Sequence, residues 1–201
     1  MSVRKGLRAA LALGLGLAAL GACGIRATEV PTDFGAAPSR VPCITSTASV
    51  AAQSGRDGTP TQIFLVCGSQ LVHVDRTVQL TPAQAGNRVK VAQSLLAELR
   101  EEPAGAEQKA GFTSDVQGRT AIDGPGKDDP RTALRLSVPP EQLTPFALAQ
   151  LVCTLGNSVA GTGEGKVVLG GPGEAPLRQY ACTEAVRQRP GSAPAPTEPV
   201  G

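Results

Sequence analysis

The sequence predicts an α+β fold: a small antiparallel or mixed sheet with two helices on one face, between a flexible N-terminal tether and a flexible C-terminal tail. Three observations carry that reading. Between residues 61 and 186, short β-type apolar runs and two helix-period segments follow the order strand, strand, helix, strand, helix, strand, and runs of strands set beside helices favour an α+β arrangement. The 24 glycines and 17 prolines in 201 residues predict long irregular stretches around those elements. Residues 24–60 and 187–201 carry Pro, Gly, Ser, Thr and Ala with little apolar periodicity, which leaves one folded domain over 61–186.

The elements follow in order. Ile63-Phe64-Leu65-Val66-Cys67 is a compact β-type run, Gly68-Ser69-Gln70 a turn, and Leu71-Val72-His73-Val74-Asp75 a return strand whose pattern extends to Val78. Together they predict a hairpin. Thr81 is a helix N-cap, Pro82 suits the first helical position, and Gln84 completes a capping box. Ala85, Val89, Ala92, Leu96 and Leu99 then fall on one helical face, and Pro103 stops the helix. Residues 103–130 form a long Gly/Asp/Pro-rich segment with Phe112, Val116 and Ile122 as its anchors. Arg131 to Val138 alternates Ala133, Arg135 and Ser137 against Leu134, Leu136 and Val138, the pattern of a half-buried strand. Thr144-Pro145 repeats the cap-plus-proline start. The helix Phe146–Leu155 is apolar nearly all round, so it is expected deep in the core, and Gly156-Asn157 ends it. Lys166–Leu169 is the last short strand, and 187–201 a disordered Pro-rich tail.

The first 22 residues read as an address. Arg4, Lys5 and Arg8 precede a 14-residue apolar run, 9–22. A membrane-spanning helix needs about 20 residues; this run has the length of a secretory apolar region. Leu20-Gly21-Ala22-Cys23 resembles the bacterial lipoprotein box. The resemblance implies cleavage before Cys23, a diacylglyceryl group on its sulfur, and a chain held at the outer face of the bacterial cell membrane. The expected organisation is a signal peptide over 1–22, a lipidated N-terminus and tether over 23–60, the domain over 61–186 and the tail. Cleavage would remove three bases and no acid, leaving 16 bases against 17 acids. No electrostatic case for nucleic acid remains. The aromatic side chains are Phe34, Phe64, Phe112, Phe146 and Tyr180, too few for a base- or sugar-stacking platform.

Cys43, Cys67, Cys153 and Cys182 form an even set in an exported chain and predict two disulfides, with three pairings open. Cys153–Cys182 and Cys43–Cys67 are favoured, because each links a core element to a poorly structured flank. A closed loop of about 25–30 residues contributes roughly 3–4 kcal/mol when loop closure is counted as chain entropy. There is no Cys-x-x-Cys, which argues against zinc or redox chemistry.

Each partial catalytic pattern lacks a required residue or context. His73 is the sole imidazole, placed mid-strand on the face of Asp75, and reads as a cross-strand or solvent-facing residue. Gly156-Asn157-Ser158-Val159-Ala160 lacks the second glycine of a nucleophile elbow and follows a helix instead of a strand. Gly163-Glu164-Gly165-Lys166-Val167 lacks the glycine and hydroxyl of a phosphate loop. Asp123, Asp128 and Asp129 lack calcium-loop spacing and read as a solvated acidic loop. The expectation is a protein without enzymatic activity, metal or cofactor.

Ile63-Phe64-Leu65-Val66, Leu71-Val72-His73-Val74, Val91-Ala92-Gln93-Ser94-Leu95-Leu96 and Gly111-Phe112-Thr113-Ser114 resemble segments of the GerMN domain. So, more specifically, do Leu134-Arg135-Leu136-Ser137 and Ala147–Leu155. The resemblance covers about 63–170 and is to GerMN-domain lipoproteins of high-GC Gram-positive bacteria. Two departures stand out: Arg100-Glu101-Glu102-Pro103 replaces the usual Gly-Pro after the first helix, and the final strand has no partner-defining motif. The resemblance implies a small α/β sandwich with a non-enzymatic role in envelope assemblies or signalling. The expected partner is then a membrane protein such as a sensor kinase, within a sigma-factor-driven envelope-stress pathway. The alternative expectation is a lipoprotein that binds a small ligand or cell-wall precursor, for which 103–130 is the place to look.

Overall fold

The structure is a computed structural model that describes Cys43, residues 58–118 and residues 120–200. The expectations for the leader, Cys23 and most of the tether lie outside the described residues. The fold is α+β, as the pattern predicts, with the strands divided between two sheets. Strands β1 (Thr59–Cys67), β2 (Gln70–Val78) and β3 (Phe112–Thr113) form an antiparallel sheet in the order β2-β1-β3. Strands β4 (Ile122–Asp123), β5 (Ala133–Leu136), β6 (Lys166–Gly170), β7 (Leu177–Ala181) and β8 (Glu198–Val200) form a mixed sheet in that order, with β5 and β6 parallel and the other neighbours antiparallel. The helices are α1 (Pro82–Ala85), α2 (Arg88–Arg100), α3 (Gly105–Lys109), α4 (Pro145–Gly156) and α5 (Glu184–Gln188). The crossover between parallel β5 and β6 is made through α4, as parallel pairing requires a long connection.

The β1–β2 hairpin turns at Gly68, whose φ of 63° suits glycine, with Cys67 opposite Gln70. The continuous apolar run in β1 has a clear cause: the strand is buried on both faces. Ile63, Leu65 and Cys67 enter the main core with Leu95 and Leu99 of α2, Leu151 and Leu155 of α4, and Leu134, Leu136 and Leu169 of the mixed sheet. Phe64 and Val66 enter a second cluster with Leu71, Ala149 and Cys153, onto which Val186 of α5 packs. Such two-sided burial replaces alternation by an unbroken apolar string.

The expected helix from Thr81 to Pro103 is two helices. The capping box at its start is present, with the Thr81 hydroxyl accepting from the Gln84 N–H and the Gln84 side chain reaching back to the Thr81 N–H. The helix then breaks at Gly86-Asn87, because the Asn87 side chain accepts from the Val89 and Lys90 N–H groups at 3.1 and 3.2 Å and caps α2. The buried face of α2 becomes Val91, Ala92, Leu95, Leu96 and Leu99, so Ala85 and Val89 drop out of the expected stripe. Strand β5 also departs from clean alternation because both its faces are covered: Leu134 and Leu136 enter the main core, and Ala133 packs with Val168 and Leu177 on the opposite face. Lys166–Gly170 is not the last strand; β7 and β8 follow, and α5 and β8 fall where the sequence carries no periodic signal. The anchors Phe112, Val116 and Ile122 of the irregular segment are buried as expected.

Helix α4 lies at the heart of the main core. Every residue from Ala147 to Gly156 is buried, and the helix packs on β1, β6, β7 and α2. Its two buried polar side chains, Gln150 and Thr154, sit one turn apart and close the edge of β1 beyond the short β3. The Phe64 N–H donates to the Thr154 hydroxyl at 3.0 Å, and the Gln150 amide donates to the Phe64 carbonyl at 3.0 Å. The Gln150 carbonyl oxygen accepts from the Asp115 N–H at 2.8 Å. Buried polar groups persist in a core only when partnered in this way. Among the described residues, no helix is long and apolar enough to cross a membrane.

Candidate functional site

Glu101 leaves α2 in an extended conformation ahead of Pro103, and the chain turns through α3 into β3. That turn opens a groove of about 690 Å³, lined among others by Arg100, Glu101, Gln108, Phe112, Thr113 and Asp115. It occupies the start of the segment singled out in the sequence as the place for a ligand. Phe112 is buried, whereas Arg100, Glu101, Gln108 and Thr113 are exposed. The Ser114 hydroxyl at its edge donates to the Leu99 carbonyl, and Asp115 accepts from the Thr144 hydroxyl at 2.5 Å. The groove therefore offers hydrogen-bonding groups of both kinds. Hydroxyls, carboxylates, amides and a guanidinium surround the buried Phe112 ring.

A buried ion network fixes the groove wall from behind. Arg76, on β2, donates from Nε and Nη2 to the two Glu107 oxygens at 3.1 and 2.6 Å, and from Nη1 to the Glu98 carboxylate and backbone carbonyl, both at 3.1 Å. Glu107 also accepts from the Ala104 N–H at 2.8 Å, which ties down the start of α3. Burial opposes the Arg76 charge, but the hydrogen bonds and charge of Glu107, then Glu98, outweigh it and raise its pKa. Nothing in the sequence marked this network. Its one legible trace is a charged residue between Val74 and Val78 on the inward face of a strand.

The expected site residues can now be placed. Cys43 pairs with Cys67 at an S–S distance of 2.05 Å, and Cys153 with Cys182 at 1.94 Å, the favoured pairing of the three. The first bond joins the incoming chain to the end of β1, where the Cys43 N–H also donates to the Ala110 carbonyl. The second joins α4 to the residue after β7. His73 is exposed on β2, opposite Phe64, with ring centroids 5.8 Å apart. A Cβ on Gly156 would lie 2.4 Å from the Gly165 carbonyl oxygen, and one on Gly161 2.5 Å from that of Gly156. These glycines permit close backbone contact at the end of α4, and Ser158 caps that end by donating to the Leu155 carbonyl. Glu164 pairs with Lys166 at 2.9 Å across a tight turn.

The acidic loop is divided. Asp123 and Asp128 are exposed, but Asp129 grips Arg135 through both oxygens at 2.6 and 2.7 Å and accepts from the Gly126 N–H at 2.7 Å. Arg135 in turn donates to the Gly171 and Ala175 carbonyls. Among the described residues no cluster of His, Cys, Asp or Glu is arranged for a metal ion. The Arg135 hydrogen bonds, against a smaller opposing effect of burial, hold the Asp129 carboxyl below the usual carboxylate range. A group so depressed stabilises the fold fully above its ordinary pKa, and that stabilisation is lost as pH falls through its folded value. Acidification below the ordinary carboxylate range is therefore expected to release the clamp and lower the protection of the Gly126 amide relative to its intrinsic exchange rate. Asp129→Asn should lack that acid-dependent step; an identical acid profile for both proteins, followed by NMR, would refute the assignment.

A second groove, about 350 Å³, lies near the start of β1 between Pro60, Gln62, Leu80, Val91 and Val159. Val159 is the large hydrophobic residue most open to solvent among those described, 56% exposed. Arg88, at the start of α2, donates to the carbonyls of Gly161, Ala160 and Thr132 and pins the connection that carries Val159.

These features define a disulfide-braced α+β domain with a polar groove at the C-terminal end of α2. The chain matches no protein-family model, no curated protein and no solved structure.

Proposed function

We propose that the chain is a membrane-anchored extracytoplasmic lipoprotein that acts as a non-catalytic interaction module, tuning an envelope-stress sensor kinase of a sigma-factor pathway. The observation that carries the reading is Leu20-Gly21-Ala22-Cys23 after a basic start and a 14-residue apolar run. The two disulfides support it, since such bonds persist in oxidising compartments outside the cytosol. A diacylglyceryl group carries two chains, enough for stable anchoring where one is marginal. Metabolic labelling with a fatty-acid analogue is expected to mark the wild type and place it in the membrane fraction. Cys23→Ala should be unlabelled and released. An unlabelled, fully soluble wild type defeats the anchor; an envelope-stress reporter unmoved by deleting the gene defeats the sensor role.

The groove beside Thr113 favours a second reading, a lipoprotein that binds a small ligand or cell-wall precursor. Soluble peptidoglycan fragments that raise the thermal midpoint of the purified protein would select it over the first.

A further inference from the structure

Sheet edges invite pairing with other chains, and proteins ordinarily blunt them with short strands, proline, lysine or covering side chains. Nearly every edge here is treated that way. Strands β3 and β4 have two residues each, β8 has three and contains Pro199, and the open side of β1 carries Pro60 and the Gln150 and Thr154 side chains. Strand β2 is the exception. It is nine residues long, QLVHVDRTV, with no proline and no lysine, and its one arginine turns inward to Glu107.

The direction of its free backbone groups follows from β1. Phe64 bonds to α4 and Val66 pairs with β3, so both face away from β2. Ile63, Leu65 and Cys67 therefore bond to Val74, Val72 and Gln70. Leu71, His73, Asp75 and Thr77 are left with their N–H and C=O groups pointing outward, and among the described residues no backbone or side-chain partner meets them. Val186 of helix α5 packs on the neighbouring face beside Leu71.

We propose that this edge pairs with the same edge of a second copy of the chain, antiparallel and about a two-fold axis at Val74. The side chains choose the register, because a His73 ring N–H can donate to an Asp75 carboxylate. With Val74 opposite the partner's Val74, His73 lies opposite the partner's Asp75, Asp75 opposite the partner's His73, and Leu71 opposite the partner's Thr77. Every outward residue then meets an outward residue and exchanges two backbone bonds. A slip of two residues one way sets Asp75 against the partner's Asp75, and like charges directly opposite destabilise a sheet; a slip of two the other way sets His73 against the partner's His73 and leaves both without their carboxylate acceptor. Both side chains are exposed and available for the pair. The two three-stranded sheets become one continuous sheet. His73, which no catalytic pattern used, acquires a role as the register-setting group.

Sedimentation equilibrium of the purified full chain tests the proposal. The wild type is expected to show a concentration-dependent monomer–dimer equilibrium. Asp75→Lys puts a cation opposite the partner's His73, and His73→Pro removes an outward donor without touching the β1–β2 ladder. Each should weaken dimerisation by at least about tenfold, while circular dichroism confirms an unchanged fold. The exchange of His73→Asp with Asp75→His in one chain should restore dimerisation, because the cross-strand pair is re-formed. A chain that stays monomeric at all concentrations, or a dimer that neither single variant weakens, overturns the proposal. So does a swap variant that stays as weak as the single ones.

Discussion

Leu151→Asp is expected to abolish cooperative folding. Leu151 is fully buried at the middle of α4, among side chains from β1, α2 and the mixed sheet. An aspartate there has no cationic partner, because the groups around it are aliphatic. Burying an unpaired charge costs several kcal/mol even after the group shifts its own pKa and neutralises. Domains of this size are stable by about 5–15 kcal/mol in total. Chemical denaturation followed by far-ultraviolet circular dichroism should therefore show no native baseline. Leu151→Met keeps the volume apolar and should lose less than about 1.5 kcal/mol. A Leu151→Asp protein with a transition near that of the wild type would show that α4 is not the core helix described here.

The second large effect belongs to Glu107. Replacing it by alanine leaves the Arg76 guanidinium almost dry, with Glu98 as its one remaining carboxylate, and removes the acceptor of the Ala104 N–H. Breaking a buried pair from one side costs about 3–5 kcal/mol, mostly the penalty of the stranded charge. Removing both charges is a different matter: Arg76→Met with Glu107→Leu should recover most of that loss, since well-packed apolar replacements of buried pairs are often neutral. Equilibrium unfolding of the two single variants and the double variant measures the coupling directly. Additive losses would mean that the pair does not act as a unit.

How far the fold could be read from the sequence depended on the range of the deciding interaction. The β1–β2 hairpin, the strand at 133–136 and α4 were legible because each carries its own period or cap: the Thr144-Pro145 start and the apolar string behind it need no knowledge of the rest. The disulfide pairing was legible by its economy, each bond reaching from a core element to a flank. The break at Asn87 was missed because a side-chain cap and a continuous helix compete for the same N–H groups, and the apolar spacing across 85–89 suited both. Strands β3, β4 and β8 were invisible because two or three residues hold no period; they exist by pairing with strands far along the chain. The groove was half-legible. Its segment was singled out by irregularity, but its wall depends on Arg76 and Glu107, which lie 31 positions apart and gave no joint signal. Gln150 and Thr154 could have been noticed as two polar residues one turn apart in an apolar helix; what they bond to could not.

The Cys43–Cys67 bond has a mechanical consequence. In a chain held at Cys23, as proposed above, any pull from the anchor reaches the domain through Cys43. The sulfur bridge hands that pull to Cys67, 24 positions further on, so the intervening stretch, including nearly all of β1, is bypassed and carries no tension. Force enters at the hairpin end of the sheet, where the Cys43 N–H also holds the Ala110 carbonyl, and not at Thr59, where it would peel β1 away from β2 one residue at a time. Reducing the bridge would turn that tension onto β1 from its Thr59 end, against the β1–β2 ladder.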